Sequence, residues 1–501
     1  MPPSVYNLGN TLTEPDALGS PIALDDIDAI WADTPTKARV EPTVGAVIQA
    51  EPAPRRSARL QAQFKALTSA VEITLQASVG KELYEHAVAL SAHAFGAAVR
   101  ASADGVLIEP KSLAEAMSRD DWTKWEEGMT IEIKSLDSMK TWLLTQLPPG
   151  RKAIGCRWTY KLKLDANGMA VRWKARLVAQ GFSQRAGIDF EETFAPVARL
   201  TTVRILVALA LRHGLIIWSM DVVTAFVNGF ITEDIYMKQP PHFDDGTGRV
   251  CKLRRSLYGL KQSGREWFAV IHDWLLSQLF KALLSEPCVF VKITSDGELI
   301  IVVLYVDDVL IAARRQSTID SIRNAFTERF EMTDNGPLTQ VLGLKIAIDR
   351  TAGFATISQE AYINGLLRRF GLHSSNGVDT PMTVAAQALG PRDDGQAPHE
   401  DINQYASIIG CLMWAAQGTR PDIAYSVGRL ARFMFNPTDE HIAAAKRILR
   451  YLKGTSKIGL VYTAHHDAEI EGFSDADHAK DLHTRRSVSG YAFFIHGNLT
   501  S

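Results

Sequence analysis

Cysteine is scarce in this chain of 501 residues: Cys156, Cys251, Cys288 and Cys411 are the only four. They lie far apart, with no Cys-x-x-Cys and no Cys/His ligand spacing, which argues against a zinc module or a disulfide framework and fits a reducing compartment. The opening Met-Pro-Pro-Ser-Val-Tyr lacks a charged segment followed by an apolar core, so no secretory signal is visible. Long hydrophobic runs are missing as well. The longest, around 299–313, is too short to span a bilayer and carries two acids near its middle. Net charge is almost absent at −2, while 46% apolar and 22% charged residues are the proportions of a soluble globular protein. The expectation is a soluble intracellular protein of roughly three domains with no membrane partner.

The charge that is present is unevenly placed. Residues 1–50 hold seven acidic side chains against two basic, whereas Arg151 to Arg185 holds nine basic against one acidic, Asp165. A basic block suits a polyanion such as nucleic acid, though a solvated face produces the same composition. Residues 1–70 show little periodicity, and Pro52-Ala-Pro-Arg-Arg-Ser-Ala-Arg59 reads as a disordered basic linker. A helix is possible over 71–104. Trp122, Trp125, Met129, Ile133 and Leu136 fall at helical spacing within 112–136 and predict a packing face. Trp158–Leu164 and Val171–Val178 read as strands around the turn signal Asp165-Ala-Asn-Gly168. Arg172, Lys174 and Arg176 alternate, so they share one face, either a phosphate clamp or a charged wet edge. Thr201–His213 predicts a helix ending before Gly214, and 215–221 an apolar strand delivering Asp221 at its end. Alternation of strands and helices to about 380 implies a mixed α/β domain, and the chain beyond Pro381 turns helical. In the helix Thr438–Lys453 a basic stripe of Lys446, Arg450 and Lys453 could track a duplex backbone or simply be solvated.

Asp307-Asp308 interrupts the run Leu299–Ala313, otherwise apolar and rich in β-branched residues. Unpaired buried carboxylates are costly and neighbouring ones repel, so such a pair is kept where a cation sits; the alternative is an ordinary hairpin turn. If Asp221 joins them from an adjacent strand, three carboxylates without His or Cys favour Mg²⁺ or Mn²⁺. Two such ions about 4 Å apart stabilise the attacking and leaving oxygens of a phosphoryl transfer.

Tyr305-Val-Asp-Asp308 resembles the catalytic loop of reverse transcriptases, and Met220-Asp-Val-Val-Thr-Ala-Phe-Val-Asn-Gly229 with Ile235-Tyr-Met-Lys-Gln-Pro240 resembles the first catalytic motif of copia-type (pseudovirus) retrotransposon polyproteins. Gly155-Cys-Arg-Trp158, Lys174-Ala-Arg-Leu-Val-Ala-Gln-Gly-Phe182, Glu192-Thr-Phe-Ala-Pro-Val197, Leu257-Tyr-Gly-Leu-Lys-Gln262, Thr419-Arg-Pro-Asp-Ile-Ala-Tyr425 and Ala445–Gly454 are similar to further blocks of that family, so the resemblance runs from about 110 to 501. It implies that Asp221, Asp307 and Asp308 are metal carboxylates, with the Val222 carbonyl a further ligand of two ions. It also implies that Phe226 excludes a 2′-hydroxyl, Gln262 contacts the incoming nucleotide, and Lys174 and Arg176 face its triphosphate. Where the family continues Ala-Pro-Arg-Ala-Trp, this chain has Ser263-Gly-Arg-Glu-Trp267, a change near the nucleotide site. Gly472-Phe-Ser-Asp-Ala-Asp-His-Ala479 and Thr484–Tyr491 resemble the opening of a ribonuclease H domain whose first ligand would be Asp475. One carboxylate cannot hold two metals, so nuclease activity is not expected of this chain alone.

The fold implied is α/β (α+β), a right-hand polymerase. Residues 1–107 form a poorly defined linker, 108–214 a lead-in and fingers, and 215–382 an antiparallel-sheet palm with the acids. Residues 383–465 form a helical thumb or connection, and 466–501 a truncated ribonuclease H-like start. The expected function is an RNA-directed DNA polymerase. Its partners would be a primed RNA or DNA template, deoxynucleoside triphosphates and the remainder of a polyprotein, in cytoplasmic virus-like particles. No protease or integrase motif is visible, so a fragment or broken copy is expected. The alternative is an inactive relic that binds nucleic acid without polymerising; an RNA-dependent RNA polymerase is disfavoured by Phe226 and the Tyr-Val context of the acids.

Overall fold

The computed structural model describes residues 109–164, 170–464, 469–479, 481 and 483–501. The expected N-terminal linker, the possible helix over 71–104 and the turn at Asp165–Gly168 lie outside the described residues. The chain begins with helices α1 (Leu113–Met117) and α2 (Trp122–Ser138), then strand β1 (Trp142–Thr145) and the hairpin β2 (Cys156–Leu164) and β3 (Ala170–Ala179). Helix α3 (Leu200–His213), β4 (Ile216–Val222), β5 (Tyr236–Met237), β6 (Val250–Leu253) and α4 (Ser263–Ser277) follow. Next come β7 (Lys281–Ala282), β8 (Val289–Ile293), β9 (Leu299–Tyr305), β10 (Asp308–Ala313), α5 (Gln316–Arg329) and β11 (Met332–Pro337). The rest comprises β12 (Gln340–Val341), β13 (Leu344–Asp349), β14 (Phe354–Ser358), α6 (Glu360–Arg369), α7 (Val384–Gln387), α8 (His399–Gly418), α9 (Ala424–Ala431), α10 (Asp439–Gly454), β15 (Leu460–Thr463), β16 (Ile470–Ala476), β17 (Ser489–Ile495) and β18 (Asn498–Leu499).

The helix expected over 112–136 is two helices. Ser112 caps the first, its hydroxyl accepting from the Glu115 amide, and the second starts after Asp121. Trp125, Met129 and Leu136 are buried as their spacing requires. Gly128 lies against the Trp173 carbonyl so closely that a Cβ would stand 2.4 Å away, which seats α2 on β3. Helix α3 ends at Gly214, whose φ of 66° suits a residue without a Cβ.

A six-stranded sheet, β11-β4-β10-β9-β8-β7, forms the centre, and its paired neighbours are antiparallel. Its middle strands are hydrophobic on both faces: every residue from Leu299 to Leu304 and from Val309 to Ala313 is buried. That continuous burial explains why these runs read as unbroken apolar stretches rather than alternating ones. Helices α3, α4 and α5 contribute Leu206, Trp267, Ile271 and Phe326 to the same core. A second core joins α6 and α8–α10, and a third lies between α2, the β2–β3 hairpin and the β1-β6-β5 sheet. Strands β12–β15 form a four-stranded sheet and β16–β18 a three-stranded one.

Helix α10 matches its sequence signals, with Thr438 capping it and Asp439 and Glu440 in the first turn. Its basic stripe of Lys446, Arg450 and Lys453 divides: Lys446 is exposed, while the other two are engaged within the protein. Lys453 donates to the His373 carbonyl, Arg450 to the Asn376 carbonyl at 3.0 Å, and Arg447 to the Thr380 hydroxyl at 2.9 Å. These side chains clamp the segment that precedes α7.

Candidate active site

Asp221 is next to last in β4, Asp308 is first in β10, and the two stand directly opposite in the antiparallel ladder. Opposed residues share a face with Cβ atoms about 4.5–5.5 Å apart, and like charges there repel. Asp307 lies in the two-residue turn between Tyr305 and Asp308, which pair across β9 and β10. The hairpin-turn reading of the sequence holds, and that turn sets the Asp307-Asp308 pair beside Asp221. All three acids are half-buried.

Both sides of this turn are tied down. The Asp307 carbonyl accepts from the Val222 amide at 2.8 Å, and the Val306 carbonyl accepts from the Trp267 indole at 2.7 Å. Val306 has φ 58° and Thr224, three residues after Asp221, has φ 53°. β-Branched residues rarely adopt the left-handed region, so the backbone around the acids holds local strain. Burial, followed by the neighbouring Asp307 and Asp221 charges, pushes the Asp308 carboxyl up to about 6.

An all-oxygen donor set in which one carboxyl resists ionisation, through burial first and neighbouring charge second, fits a hard divalent cation, which would offset both. The side chains are not closed round a common point: among the described residues no group of three or more His, Cys, Asp or Glu forms a ready metal cage. The backbone pairing brings the acids to one end of the sheet. Val222 is buried at the end of β4 and opposes Met332 in β11.

Arg176 reaches this site from the hairpin. Its guanidinium lies over the Tyr258 ring at 4.9 Å, and the Tyr258 ring meets Phe226 edge-on at 4.9 Å. Burial pushes the Tyr258 hydroxyl up to about 12, with Arg176 opposing and Asp307 and Asp221 reinforcing the shift. Tyr258 therefore sits within the field of the acids and keeps its proton at neutral pH. Sequence reasoning did not single it out. The usable signal was the adjacent Gly259, with φ 93° and no room for a Cβ, which would meet the Ala179 carbonyl at 2.2 Å. That close approach, with the Ala179 amide donating to the Tyr258 carbonyl at 2.7 Å, docks the segment on β3.

Lys174 shares the Arg176 face and pairs in register with Lys161, while Ala175, Leu177 and Ala179 are buried on the other face. Gln262 does not face the site as expected. It is fully buried, its amide donates to the Asp189 carbonyl at 2.9 Å, and its oxygen accepts from Gln184 at 3.0 Å. Its arrangement is that of a residue holding the loop around Asp189, since both ends of the amide are engaged inside the protein. The Ser263-Gly-Arg-Glu-Trp267 departure forms the first turn of α4. Gly264 packs on Ala195, where a Cβ would stand 3.2 Å from that methyl group, and Glu266 pairs with Arg265 at 2.9 Å. Asp475 lies in β16 opposite Gly490, exposed, its carboxylate accepting from the Ala476 amide at 2.9 Å.

Paired acids at the tip of a buried antiparallel hairpin, with a cation and two aromatic rings beside them, suit the handling of a phosphorylated substrate. Residues 139–384 match the reverse transcriptase (RNA-dependent DNA polymerase) family. The chain is 39% identical over 398 residues to the retrovirus-related Pol polyprotein from transposon TNT 1-94 of Nicotiana tabacum, covering 78% of this chain and 30% of that protein. It is 36% identical over 390 residues to the Pol polyprotein from transposon RE1 of Arabidopsis thaliana, covering 77% and 26%. A Saccharomyces cerevisiae protein named for transposon Ty5-1 is 34% identical over 281 residues, 89% of its length. The chain belongs to the reverse transcriptases of copia-type transposons. It spans about 30% of the first Pol polyprotein and 26% of the second.

Proposed function

We propose that the chain is an RNA-directed DNA polymerase extending a primer on an RNA or DNA template with deoxynucleoside triphosphates. The observation that carries this reading is the direct cross-strand pairing of Asp221 with Asp308, with Asp307 in the adjoining turn. In this reading the β2–β3 hairpin with α2 is the fingers and the six-stranded sheet with α3–α5 is the palm. The bundle of α8–α10 is the thumb, and β16–β18 is a ribonuclease H-like start.

Asp221, Asp307 and Asp308, with the Val222 carbonyl, would hold two Mg²⁺ or Mn²⁺ ions. Bound there, the ions would lower the pKa of a primer hydroxyl and neutralise triphosphate charge. The chain's own residues supply position and exclusion. Arg176 presents a fixed positive charge from the fingers. The Tyr258 ring orients that guanidinium and supports Phe226, whose ring would fill the space a 2′-hydroxyl needs. Trp267 and Val222 hold the acid-bearing turn so that little reorganisation is needed during reaction. Gln262 acts at one remove, by holding the loop around Asp189 against the start of α4.

Extension of a primer on an RNA template with Mg²⁺ tests the assignment, run beside Asp307→Asn. Extension by the unmodified chain and a loss of at least about a hundredfold in the variant are expected. A chain that binds primer–template yet never extends it would return the reading to a non-polymerising relic.

A further inference from the structure

We infer that the C-terminal segment carrying Asp481 and Asn498 is a brace that sets the position of the helical bundle against the central sheet, with Asp481 as its positioning residue. Its consequence for nucleic-acid grip rests on the polymerase reading above.

Three sets of contacts carry this. The Asp481 side chain is 1% exposed and receives two guanidinia of the bundle, Arg429 at 2.7 Å and Arg432. Its other oxygen accepts from the amides of His483 at 3.1 Å and Thr484 at 2.6 Å and from the Thr484 hydroxyl at 2.7 Å. Arg429 also donates to the carbonyls of Gln387 at 3.2 Å and Leu389 at 3.0 Å, so one carboxylate organises α9 and the segment after α7 together. The fit is close: a Cβ on Gly390 would stand 2.4 Å from the His483 ring.

At the other end of the segment, buried Asn498 exchanges both amide atoms with the Thr463 backbone, at 2.8 and 3.0 Å, and Tyr462 donates to the Leu499 carbonyl. The third contact closes the circuit. Arg204 on α3, behind the central sheet, donates to the Gly418 carbonyl at 2.8 Å, the Gln417 carbonyl and the Thr500 carbonyl at 3.2 Å. Helix α8 and the C-terminal strand thus share one palm-side guanidinium.

A buried carboxylate between two arginines is a firm link because removing it leaves two guanidinia facing each other without compensation. The β16–β18 sheet itself offers little core: Phe473 and Tyr491 are exposed. The solid contacts of this segment are those to the bundle, to β15 and to Arg204 of α3. Its contribution in this chain is therefore mechanical, holding the thumb where it can close on a duplex, independent of any chemistry at Asp475.

Hydrogen exchange of the full chain, comparing Asp481→Asn and Arg432→Gln with the unmodified protein, tests the brace. Exchange in α9 should rise about tenfold in Asp481→Asn while β4, β9 and β10 stay unchanged. Primer–template Kd should rise on the order of tenfold, with the single-turnover rate of nucleotide addition held within about twofold. Asp481→Glu should recover part of the loss. Unchanged α9 exchange, or a fall in addition rate at constant Kd, overturns the inference. Should Asp481→Asn fail to fold, Arg432→Gln removes only the more exposed guanidinium and must show the same pattern at smaller amplitude. If the unmodified chain does not extend primers, the polymerase reading fails while the exchange measurement still decides the brace.

Discussion

Replacing Asp308 by Asn should stabilise this protein in the absence of metal, although it removes a group proposed to be essential. Asp308 opposes Asp221 across the ladder and its carboxyl is pushed up to about 6 from an ordinary 3.8, first by burial and then by Asp307 and Asp221. A raised acid means that the unfolded chain ionises more readily than the folded one. Stability from this group is therefore lost as pH rises from about 4 to about 6, and the full penalty persists above. Two pKa units correspond to roughly 3 kcal/mol. Half-burial and solvent screening reduce that to about 1–2 kcal/mol. In chelator at pH 8, Asp308→Asn should thus unfold roughly 2–5 °C later than the unmodified chain. At pH 4 the difference should shrink severalfold, because the folded state keeps the proton and the unfolded chain is only about half ionised. Millimolar Mg²⁺ should stabilise the unmodified chain by about 1 kcal/mol and the variant by less, narrowing the gap. Thermal unfolding followed by circular dichroism at both pH values, with and without Mg²⁺, measures all four quantities. An Asn variant no more stable than its parent in chelator at pH 8 would refute the repulsion argument. A stability gap unchanged at pH 4 would refute its electrostatic origin.

Phe226→Ala should open the space beside Tyr258 and lower discrimination against ribonucleotides by about tenfold or more, read as the ratio of incorporation efficiencies; unchanged discrimination removes Phe226 from that role. Gln262→Ala should act on folding before substrate binding. It abolishes two buried hydrogen bonds, to Gln184 and Asp189, and should cost about 2–4 kcal/mol in denaturant unfolding. A variant of unaltered stability with a raised nucleotide KM would instead place the amide on the substrate. Arg176→Ala, which loses the stacking on Tyr258, should raise nucleotide KM severalfold while primer–template affinity changes little; equal losses in both would assign Arg176 to the template.

Much of the centre was legible from sequence because its strands are long and apolar. Leu299–Leu304 and Val309–Ala313 are buried throughout, so their hydrophobic runs had one reading, and the interrupting acids stood out at the tip. Helix α10 announced both ends through Thr438, its first-turn acids and Gly454. What escaped depended on partners far along the chain. Gln262 is withdrawn by Gln184 and the Asp189 carbonyl, some seventy residues earlier, and a single-residue motif carries no trace of that. Two-residue strands such as β5 and β7 have no periodicity to detect. The basic stripe on α10 was ambiguous because exposed and engaged cations look alike in sequence; the carbonyls of His373 and Asn376 take up Lys453 and Arg450, while Lys446 stays exposed. Tyr258, which links the Arg176 guanidinium to Phe226, lay inside the block Leu257–Gln262, but its two partners come from distant segments that no local pattern connects to it.

The strained turn at Val306 offers a separate measure of how far site and stability are opposed. A valine at φ 58° costs about 1–2 kcal/mol, yet two hydrogen bonds hold it there, from Trp267 to its carbonyl and from Val222 to the carbonyl of Asp307. Glycine would adopt this φ without penalty, but it adds freedom to the unfolded chain worth about 0.5–1 kcal/mol. The two effects nearly cancel, so Val306→Gly should leave unfolding within about 1 kcal/mol of its parent. Its effect on chemistry should be larger. Asp307 and Asp308 are aimed by a backbone that valine confines to a single well, and a loosened turn spreads their positions. A misplacement near 1 Å at such a site can lower rates about a hundredfold. The expected signature is a fall in single-turnover nucleotide addition with nearly constant stability and primer–template affinity. Should Val306→Gly instead lose several kcal/mol and activity together, the turn is held by valine packing rather than by its two hydrogen bonds. Strain at Val306 would then have no part in aiming the acids.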